Sequence, residues 1–486
     1  MYRLLRKLDR NVFKTKLNQF ETVDISDLIK AVDSRAVMAK QTKHKDEFLS
    51  GDIAWIRVNQ PDILIRFGFR ILKGEILQSA KYGVWSLHHG DSAVNRGGPP
   101  AFWEVVNRDP ITGVTLQVLS EKLDAGLVLG KSFCKTDFTS FNRNQQSVYA
   151  AGVELFCSRL KDFASLGSDI FFSNHPKTDP NQIAKTLYRD PGNVKAFLIA
   201  IAFWWRRLSE FLVGIFFTEQ WFIFYHHNIN FPFYFQSATP LIPPAHTDWA
   251  DPFLFNHKGK DYIFFESLNK RIGKGRIMCL PMDRLSDNPV NVLEEDYHLS
   301  YPTIIEHDDK LYLITESASA KFVCFYECLE FPQKWKKLKP ILTDIELYDP
   351  TIHKRDGKWY LFGTQRPVAG ASADMYLHIY YSNDLVNGEW LPHSMNPVTR
   401  DVRGSRPAGK IFSFHGKLVR PAQIGTPKYG YGIRFQQIMK LSPFEFEEAR
   451  IDDILPWMPN MLATHTYTAT NDCFVTDAQL RRFRFF

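Results

Sequence analysis

Two stretches in the first half of the chain contain residue types that could stabilise a developing oxyanion and move a proton. The first, SLHHGD, contains Ser86 and His88, and the second, KLDAG, contains Asp124. A histidine at a strand end can donate a hydrogen bond to an oxygen that gains negative charge, and a nearby carboxylate can orient it or accept a proton. On its own, each residue would usually be a structural loop or turn residue, so the chemistry depends on their occurring together.

A second set of candidates lies at the start of, or inside, the copies of a repeated phrase in the other half of the chain. We expect these residues to converge on a ligand: Asp251, Tyr301, Asp349, Arg406, Arg420, Gln423 and His465. Two carboxylates about 6.5–9.5 Å apart can act as acid and base in glycoside hydrolysis, so Asp251 and Asp349, with Glu266 or Glu316 as a third acid, are candidates. The arginines and the glutamine suit an anionic or hydroxyl-rich ligand. Alternatively, Asp-Pro and Arg-Pro pairs simply begin strands and tie the sheets together.

The repeated phrase itself consists of a short strand, a turn and an aromatic strand. It reads DPFLFNHKGKDYIFFES at 251–267, YPTIIEHDDKLYLITES at 301–317 and DPTIHKRDGKWYLFGTQ at 349–365, with weaker copies at 406–423 and 465–480. A period of about 50 residues with turn signals inside each copy is typical of propeller blades. We therefore predict an all-β five-bladed propeller over 219–486, closed by a strand at 220–226 that pairs with the last blade. A β-sandwich of repeated hairpins is the alternative.

The first half alternates helical periodicity with short apolar runs. Helices are predicted at 27–33 and 144–164, and strands at 62–68 and 113–119. This alternation is typical of an α/β domain with a parallel sheet, which we place at 1–170.

A helical linker is predicted at 171–218. Its apolar segment 196–217 contains Arg206, Arg207 and Glu210 near the middle. Charges at that place argue against a membrane span, and they favour a buried or interfacial helix with a peripheral membrane contact as one possibility.

Composition excludes several classes of protein. The chain has 486 residues, a net charge of +7 and six scattered cysteines, so neither a disulfide framework nor a nucleic-acid-binding surface is indicated. The opening MYRLLRKLDR lacks a signal-peptide pattern. We expect a cytoplasmic protein that requires no metal, and the sequence does not indicate its oligomeric state.

Residues 30–165 resemble the folate-dependent formyltransferase family, which includes methionyl-tRNA and sugar-amine N-formyltransferases. The resemblance rests on ordered motif residues: Gly83, Ser86, His88, Gly90, Arg96, Gly97, Gly113, Thr115, Asp124 and Gly126. It implies a formyltransferase-like, Rossmann-type α/β domain that uses 10-formyltetrahydrofolate as the formyl donor. The family's additional opening βαβ portion is shortened here, since only 34–39 could form a strand before the one at 62–68.

The same resemblance implies roles for individual residues. His88 would hold the oxyanion and Asp124 would handle the proton, while Ser86 stands where the family has an asparagine. The cofactor-binding set implied by the family is Phe67, Gly68, Phe69, Gly83 and Gly97, of which the two last would allow close approach of the backbone.

Most of 245–470 resembles the propeller of plant glucosamine inositolphosphorylceramide transferases. The phrases that carry this resemblance are DPFLF, HLSYP, FPQKW, YDPT, SRPAG, RPAQ and HTY. In that family the propeller lies beside a separate glycosyltransferase domain, so sugar recognition is implied more than hydrolysis. Together the two resemblances predict formyl transfer to an amino sugar of a nucleotide, lipid or glycan precursor. The alternatives are a propeller glycoside hydrolase and a carbohydrate-binding protein whose α/β domain is vestigial.

Overall fold

The computed structural model describes residues 1–15, 18–42, 44–175, 186–227, 237–470 and 473–484. The chain divides into two compact units. The first comprises 1–205 with 367–371, and the second comprises 206–366 with 372–486.

Helices and short strands alternate in the first unit. The helices are α1 (Tyr2–Val12), α2 (Ser26–Ile29), α3 (Ser50–Val58), α4 (Trp103–Asn107), α5 (Phe141–Leu166), α6 (Ser168–Ser173) and α7 (Asn193–Phe216), of which α7 continues into the second unit. The strands are β1 (Lys40–Gln41), β2 (Lys45–Glu47), β3 (Leu64–Ile65), β4 (Ile71–Leu72), β5 (Val84–His88), β6 (Arg96–Gly97), β7 (Ile111–Val118), β8 (Leu127–Lys135) and β9 (Leu187–Tyr188).

The longest helix of the first unit shows how sequence determines this packing. α5 begins after Ser140, whose hydroxyl accepts a hydrogen bond from the Arg143 backbone N–H and so caps the first turn. Its buried residues include Val148, Ala151 and Leu155, whose spacing places them along one side of a helix that contacts β7 and β8.

The main sheet of the first unit has the strand order β3-β5-β7-β8. Only β3 and β5 are parallel, whereas β5–β7 and β7–β8 are antiparallel. The predicted parallel sheet is therefore wrong for two of its three strand pairings, and for β7 and β8 the reason is that residues 119–126 form a connection too short for a crossover. The predicted helix at 27–33 shortens to α2, and the strand expected at 34–39 is replaced by β1 at Lys40–Gln41.

The helix α7 leaves an unusual amount of apolar surface exposed. Only Ala196 and Phe203 are buried in it, while its exposed large side chains are Val194, Phe197, Leu198, Ile201, Trp205, Leu208, Phe211, Leu212, Val213, Ile215 and Phe216. Among the described residues, no helix is both long enough and apolar enough to cross a membrane.

The described residues of the second unit form five antiparallel sheets. Sheet I contains β12 (Thr247–His257), β13 (Lys260–Asn269), β14 (Lys274–Pro281) and β15 (Val290–Leu293), and sheet II contains β16 (Ser300–His307), β17 (Lys310–Glu316), β18 (Phe322–Glu330) and β19 (Lys334–Thr343). Sheet III contains β20 (Tyr348–Arg355), β21 (Lys358–Thr364), β22 (Tyr376–Ser382), β23 (Leu391–Pro392) and β24 (Thr399–Arg400). Sheet IV contains β25 (Phe412–Phe414), β26 (Lys417–Ile424), β27 (Gly432–Leu441) and β28 (Phe446–Ile454). Sheet V contains β10 (Phe217–His227), β11 (Thr239–Leu241), β29 (Met461–Ala463), β30 (Tyr467–Ala469) and β31 (Cys473–Phe483).

Sheet V is assembled from both ends of the unit. β10 pairs with β31 along its whole length, from Phe217 opposite Phe483 to His227 opposite Cys473. The strand predicted at 220–226 and its pairing with the last repeat are thus confirmed.

Apolar clusters join each sheet to the next in a cyclic order. Each cluster contains residues of two neighbouring sheets, for example Phe264 and Leu313 (sheets I and II), Phe325 and Leu361 (II and III), Phe362 and Ile438 (III and IV), Phe435 and Tyr467 (IV and V) and Val475 and Leu254 (V and I). This cyclic packing of small antiparallel sheets is propeller-like.

Three of the sheets open with the same irregularity. Asp251, Tyr301 and Asp349 have φ values of 49°, 53° and 52°, each is followed by proline, and the register with the next strand shifts at each place. A left-handed backbone is uncommon for residues other than glycine and unusual for one as large as tyrosine. These bulges bury the strand-opening side chains inside the unit.

Candidate functional site

A cavity of about 590 Å³ lies in the first unit, beside the ends of β3 and β5. The motif residues that line it are Ser86, His88, Gly97, Asp124 and Gly126. Residues from separate parts of the chain therefore meet at one place, and the volume is that of a site for a small molecule.

Two of the motif glycines are required by close backbone contacts. A Cβ atom on Gly97 would lie 2.2 Å from the carbonyl oxygen of Tyr188, and one on Gly126 would lie 1.9 Å from the carbonyl oxygen of Val118. Gly97 also has a φ of 87°. Glycine at these positions lets the strands close one wall of the cavity.

His88 and Asp124 are held by different partners. The Nε2 atom of His88 lies 3.3 Å from the carbonyl oxygen of Asn95, which favours a proton on that nitrogen. The carboxylate of Asp124 accepts a hydrogen bond from Nε of Arg96 at 3.0 Å, and both partners are largely buried. Arg96 thereby orients Asp124 and offsets its negative charge.

The wall of the cavity includes two polar residues that the sequence-based site missed. Arg66 follows β3 and donates from Nη1 to the Ser86 hydroxyl at 2.9 Å. Gln117, on β7, is buried, and its Oε1 atom has no hydrogen-bond partner among the described residues. Their side chains could have been suspected only from position: Arg66 directly precedes Phe67–Gly68–Phe69, and Gln117 lies two residues after the motif threonine.

The remaining members of the implied cofactor set do not line the cavity. Phe67 is exposed, Gly68 forms a left-handed turn, and Phe69 packs on Phe48 at 5.2 Å. Gly83 precedes β5, so it lies one strand length, roughly 16 Å, from His88. Its Cβ would instead meet Val118 at 2.7 Å, which indicates a packing role.

Two ionisable groups near the motif residues, the half-buried His89 and the buried Glu104, have shifted pKa values. Burial and the neighbouring His88 lower the pKa of His89 to about 4, and the ring of His89 stacks on Tyr149 with centroids 3.8 Å apart. Burial raises the pKa of Glu104 to about 7. At neutral pH, His89 is thus uncharged and Glu104 is close to half protonated.

The pKa of Glu104 predicts a stability change with pH. A carboxyl whose pKa is higher in the folded than in the unfolded chain stabilises fully below its unfolded value of 4.5, and this stabilisation is lost as the pH rises through 7. Glu104→Gln keeps a neutral side chain at every pH. We therefore expect the stability of Glu104→Gln relative to the wild type to rise between pH 5 and pH 8, by up to about 3 kcal/mol in the free energy of unfolding.

Thermal unfolding of both proteins at several pH values in this range checks the prediction. The exposed Glu75 provides a matched control as Glu75→Gln, for which we expect no comparable trend. A melting-temperature difference between Glu104→Gln and wild type that stays constant with pH would contradict the assignment.

In the second unit, one cluster of predicted site residues is centred on Arg406. Its guanidinium donates to Asp349 at 2.6 and 3.2 Å, to Glu316 at 3.3 Å and to Asp374 at 2.9 Å. Gln423 donates to the same Asp349 carboxylate at 2.7 Å. Burial and the charge of Asp349 raise the pKa of Glu316, so this cluster holds a carboxyl group that resists ionisation.

A second cluster joins the strand-opening Asp251 to His465. Nδ1 of His465 lies 2.6 Å from Asp477 and 3.8 Å from Asp251. Although burial opposes it, the charges of Asp477 and Asp251 raise the pKa of His465 to about 9. The cluster thus brings one imidazole and two carboxylates together, with ligand atoms within 4.8 Å of one another.

Burial raises the pKa of Asp251 to about 6; His465 opposes this shift and the nearby charge of Asp349 adds to it. Burial and the charge of Asp251 also raise the pKa of Glu266. Carboxyl groups that remain partly protonated at neutral pH could serve as acids, but Asp251 and Asp349 are buried and bonded to protein partners.

Tyr301 and Arg420 serve other contacts. The Tyr301 hydroxyl accepts from the Gly409 N–H at 2.6 Å and lies 3.0 Å from the Thr351 hydroxyl. Arg420 is fully buried and donates to Glu448 and to the carbonyls of Gly404 and Ser405. Their polar atoms connect elements of the unit, as expected of structural residues.

Comparison with known proteins relates the second unit to one family. Residues 242–457 match the model described as glucosamine inositolphosphorylceramide transferase 1, N-terminal. The protein of that name from Oryza sativa subsp. japonica is 31% identical over 208 residues, which are 42% of this chain and 28% of the relative; the Arabidopsis thaliana protein is 32% identical over 207 residues, 42% of this chain and 27% of the relative. The chain thus spans about a quarter of the length of these relatives, which are named as transferases, and the predicted resemblance is confirmed.

Two further comparisons are a shorter sequence match and a likeness to a solved structure. Methionyl-tRNA formyltransferase from Chlorobium limicola is 31% identical over 74 residues, which are 15% of this chain and 23% of that protein. Among solved structures, a GH43 β-xylosidase/α-arabinofuranosidase from a compost microbial metagenome aligns with a TM-score of 0.36 and 15% identity, covering 50% of this chain and 93% of that chain.

Proposed function

We propose that the protein transfers a formyl group from 10-formyltetrahydrofolate to the amine of an amino sugar carried by a glycolipid or glycan precursor. The observation that carries the proposal is the meeting of Ser86, His88 and Asp124 at one cavity. The relatives of the second unit are named for glucosamine and a ceramide lipid, which supports an amine-bearing sugar and a lipid-linked acceptor.

The cavity fits the donor in two respects. Its volume, about 590 Å³, is suited to a ring-containing cofactor, and the unpaired Oε1 atom of Gln117 offers a buried acceptor to a ring N–H. The bound cofactor would supply the formyl group on one of its nitrogens.

The residues of the chain would each act on a defined atom. The amine nitrogen bonds to the formyl carbon while the bond from that carbon to the carrier nitrogen breaks. Asp124 takes the proton that the amine loses and returns it to the carrier nitrogen, so protons balance. His88 would donate from Nε2 to the formyl oxygen as that oxygen gains charge, in exchange for its 3.3 Å contact with the Asn95 carbonyl.

For the second unit we propose a five-bladed propeller that recognises the sugar. The relatives named for glucosamine support this assignment, and hydrolysis is less well supported, because the carboxylates that it would need are bonded to Arg406, Gln423 and Thr466. These bonds would have to break before either Asp251 or Asp349 could reach a substrate.

Calorimetric titration with a stable 10-formyltetrahydrofolate analogue tests the proposal first, followed by formyl transfer to glucosamine-containing acceptors. We expect the wild type to bind the analogue with micromolar affinity and to form an N-formylated product. Absence of both would overturn the proposal and place the function in the second unit, where glycan binding would be measured next.

We further propose that α7 contacts a membrane surface. Its exposed side chains include two aromatic residues more than two-thirds exposed, Trp205 at 69% and Phe211 at 67%. Aromatic and aliphatic side chains beside cations such as Lys195 and Arg206 are typical of helices that lie in a bilayer interface. A lipid-linked acceptor would be reached there.

Co-sedimentation with mixed phosphatidylcholine–phosphatidylserine vesicles tests this contact. We expect Trp205→Glu combined with Phe211→Glu to lower partitioning by about 100-fold or more, because each buried ring contributes about 1.5–3 kcal/mol. Phe444→Glu is the control, since Phe444 is also 70% exposed but lies outside α7. Equal partitioning of wild type and double variant would refute the contact.

A further inference from the structure

Arg66 is a cation in the wall of the cavity with an incomplete set of partners. Its Nε atom donates to the carbonyls of Phe69 and Arg70, its Nη2 atom to Phe69, and its Nη1 atom to the Ser86 hydroxyl. A guanidinium has five N–H groups. One N–H on each terminal nitrogen therefore has no acceptor among the described residues.

Two other arginines near this place are paired with carboxylates, and a further one, Arg189, lines the cavity but is exposed. Arg70 bonds to Asp46 at 2.8 Å, and Arg96 bonds to Asp124 at 3.0 Å. Within the described parts of the chain, Arg66 has no carboxylate within ion-pair distance, although it is half-buried. Burial lowers its pKa from the ordinary value, but an arginine remains charged. Its positive charge is thus available to an anion in the cavity.

The position of Arg66 is set by neighbouring strands. Its backbone N–H donates to the carbonyl of Trp85 at 3.0 Å, so residue 66 continues the pairing of β3 with β5. Ser86 and His88 are two residues apart on β5, and alternate residues of a strand point to the same face. The guanidinium that touches Ser86 therefore lies on the side of the sheet from which His88 projects.

We propose that Arg66 is a second donor to the oxygen of the transferred formyl group, acting beside His88. This inference rests on the proposed formyl transfer. Ser86 alone is a weak candidate, because its hydroxyl already accepts from Arg66 and faces the Leu87 carbonyl at 3.4 Å. A charged N–H contributes more to a developing oxyanion than a neutral hydroxyl does. Arg66 neither gains nor loses a proton in the step.

Single and double variants separate this role from a structural one. In formyl transfer, Arg66→Ala is expected to lower kcat by ~10²–10³-fold, as loss of one oxyanion donor does, with less than about a threefold change in cofactor affinity. Adding Ser86→Asn to Arg66→Ala places an amide N–H near the same oxygen, and we expect it to restore kcat at least about tenfold. The control is Arg57→Ala, which removes an exposed arginine paired with Glu75.

The outcomes differ for the two claims. Wild-type activity combined with undiminished kcat in Arg66→Ala would overturn the role of Arg66 while leaving formyl transfer in place. Equal loss of kcat and cofactor binding in Arg66→Ala, without recovery in the double variant, would identify Arg66 as a brace for residues 69 and 70 only. A wild type that binds no cofactor analogue and forms no product would overturn the proposed function and this inference together.

Discussion

His88→Ala is expected to lower kcat for formyl transfer by ~10²–10³-fold while cofactor binding changes little. The ring of His88 lies at the end of β5 in the cavity wall, where its Nε2 atom contacts the Asn95 carbonyl at 3.3 Å and would exchange this contact for one to the substrate oxygen. A donor of this kind acts mainly as charge develops on the substrate oxygen, so its loss is seen in kcat more than in KM. Steady-state rates with an amino-sugar acceptor, alongside calorimetric titration of the analogue, measure both quantities.

A matched control is His227→Ala, which removes an exposed histidine at the end of β10. Its activity should equal that of the wild type. A hydrolase acting in the second unit predicts the reverse pattern: Asp251→Asn or Asp349→Asn would abolish sugar release while His88→Ala would have no effect. Glycan binding that survives both His88→Ala and Asp124→Asn, without cofactor affinity, would instead favour a binding protein.

Arg406→Met is expected to destabilise the second unit by about 3–5 kcal/mol. Arg406 is buried, and it is the shared cationic partner of Asp349, Glu316 and Asp374. Removing it leaves carboxylates uncompensated where water cannot replace the lost hydrogen bonds. By calorimetry, the unfolding temperature of this unit should fall by on the order of 10 °C.

Two further variants show whether charge is the cause. Arg355→Ala removes a more exposed arginine beside Asp356, and we expect it to cost less than about 1 kcal/mol. Asp349→Asn added to Arg406→Met removes part of the uncompensated charge and should recover some of the lost stability. If the double variant were less stable than Arg406→Met, packing and not charge would account for the effect.

The second unit was largely predictable because its pattern is local and repeated. Each copy of the phrase contains the two strands and the turn of one hairpin, so spacing alone located the start of sheets I, II and III. The first unit was less predictable. Strand direction there depends on connection length, and β7 and β8 are joined too closely to be parallel.

The candidate site was predictable to the extent that its residues belong to ordered motifs. Ser86, His88, Gly97 and Asp124 line one cavity, as the order of the motifs suggested. The partners Arg96 and Arg66 were not assigned roles, because a long guanidinium side chain reaches several neighbours and the choice depends on tertiary packing. Asp477 was not assigned a role either, because its contact joins β31 to His465 in the loop between β29 and β30, 12 positions away.

The left-handed residues near the starts of β12, β16 and β20 are Asp251, Tyr301 and Asp349. They have a consequence for how the sequence of this unit can change. The backbone turns at the same place in all three sheets, and a proline follows each time. The local backbone is therefore the same whichever buried side chain stands there. Two sheets have aspartate at that place and one has tyrosine, and all three keep the same shift in strand register. The same strand geometry thus accepts either an acidic or an aromatic side chain, so the polarity of this buried place can change by point mutation without a change of architecture.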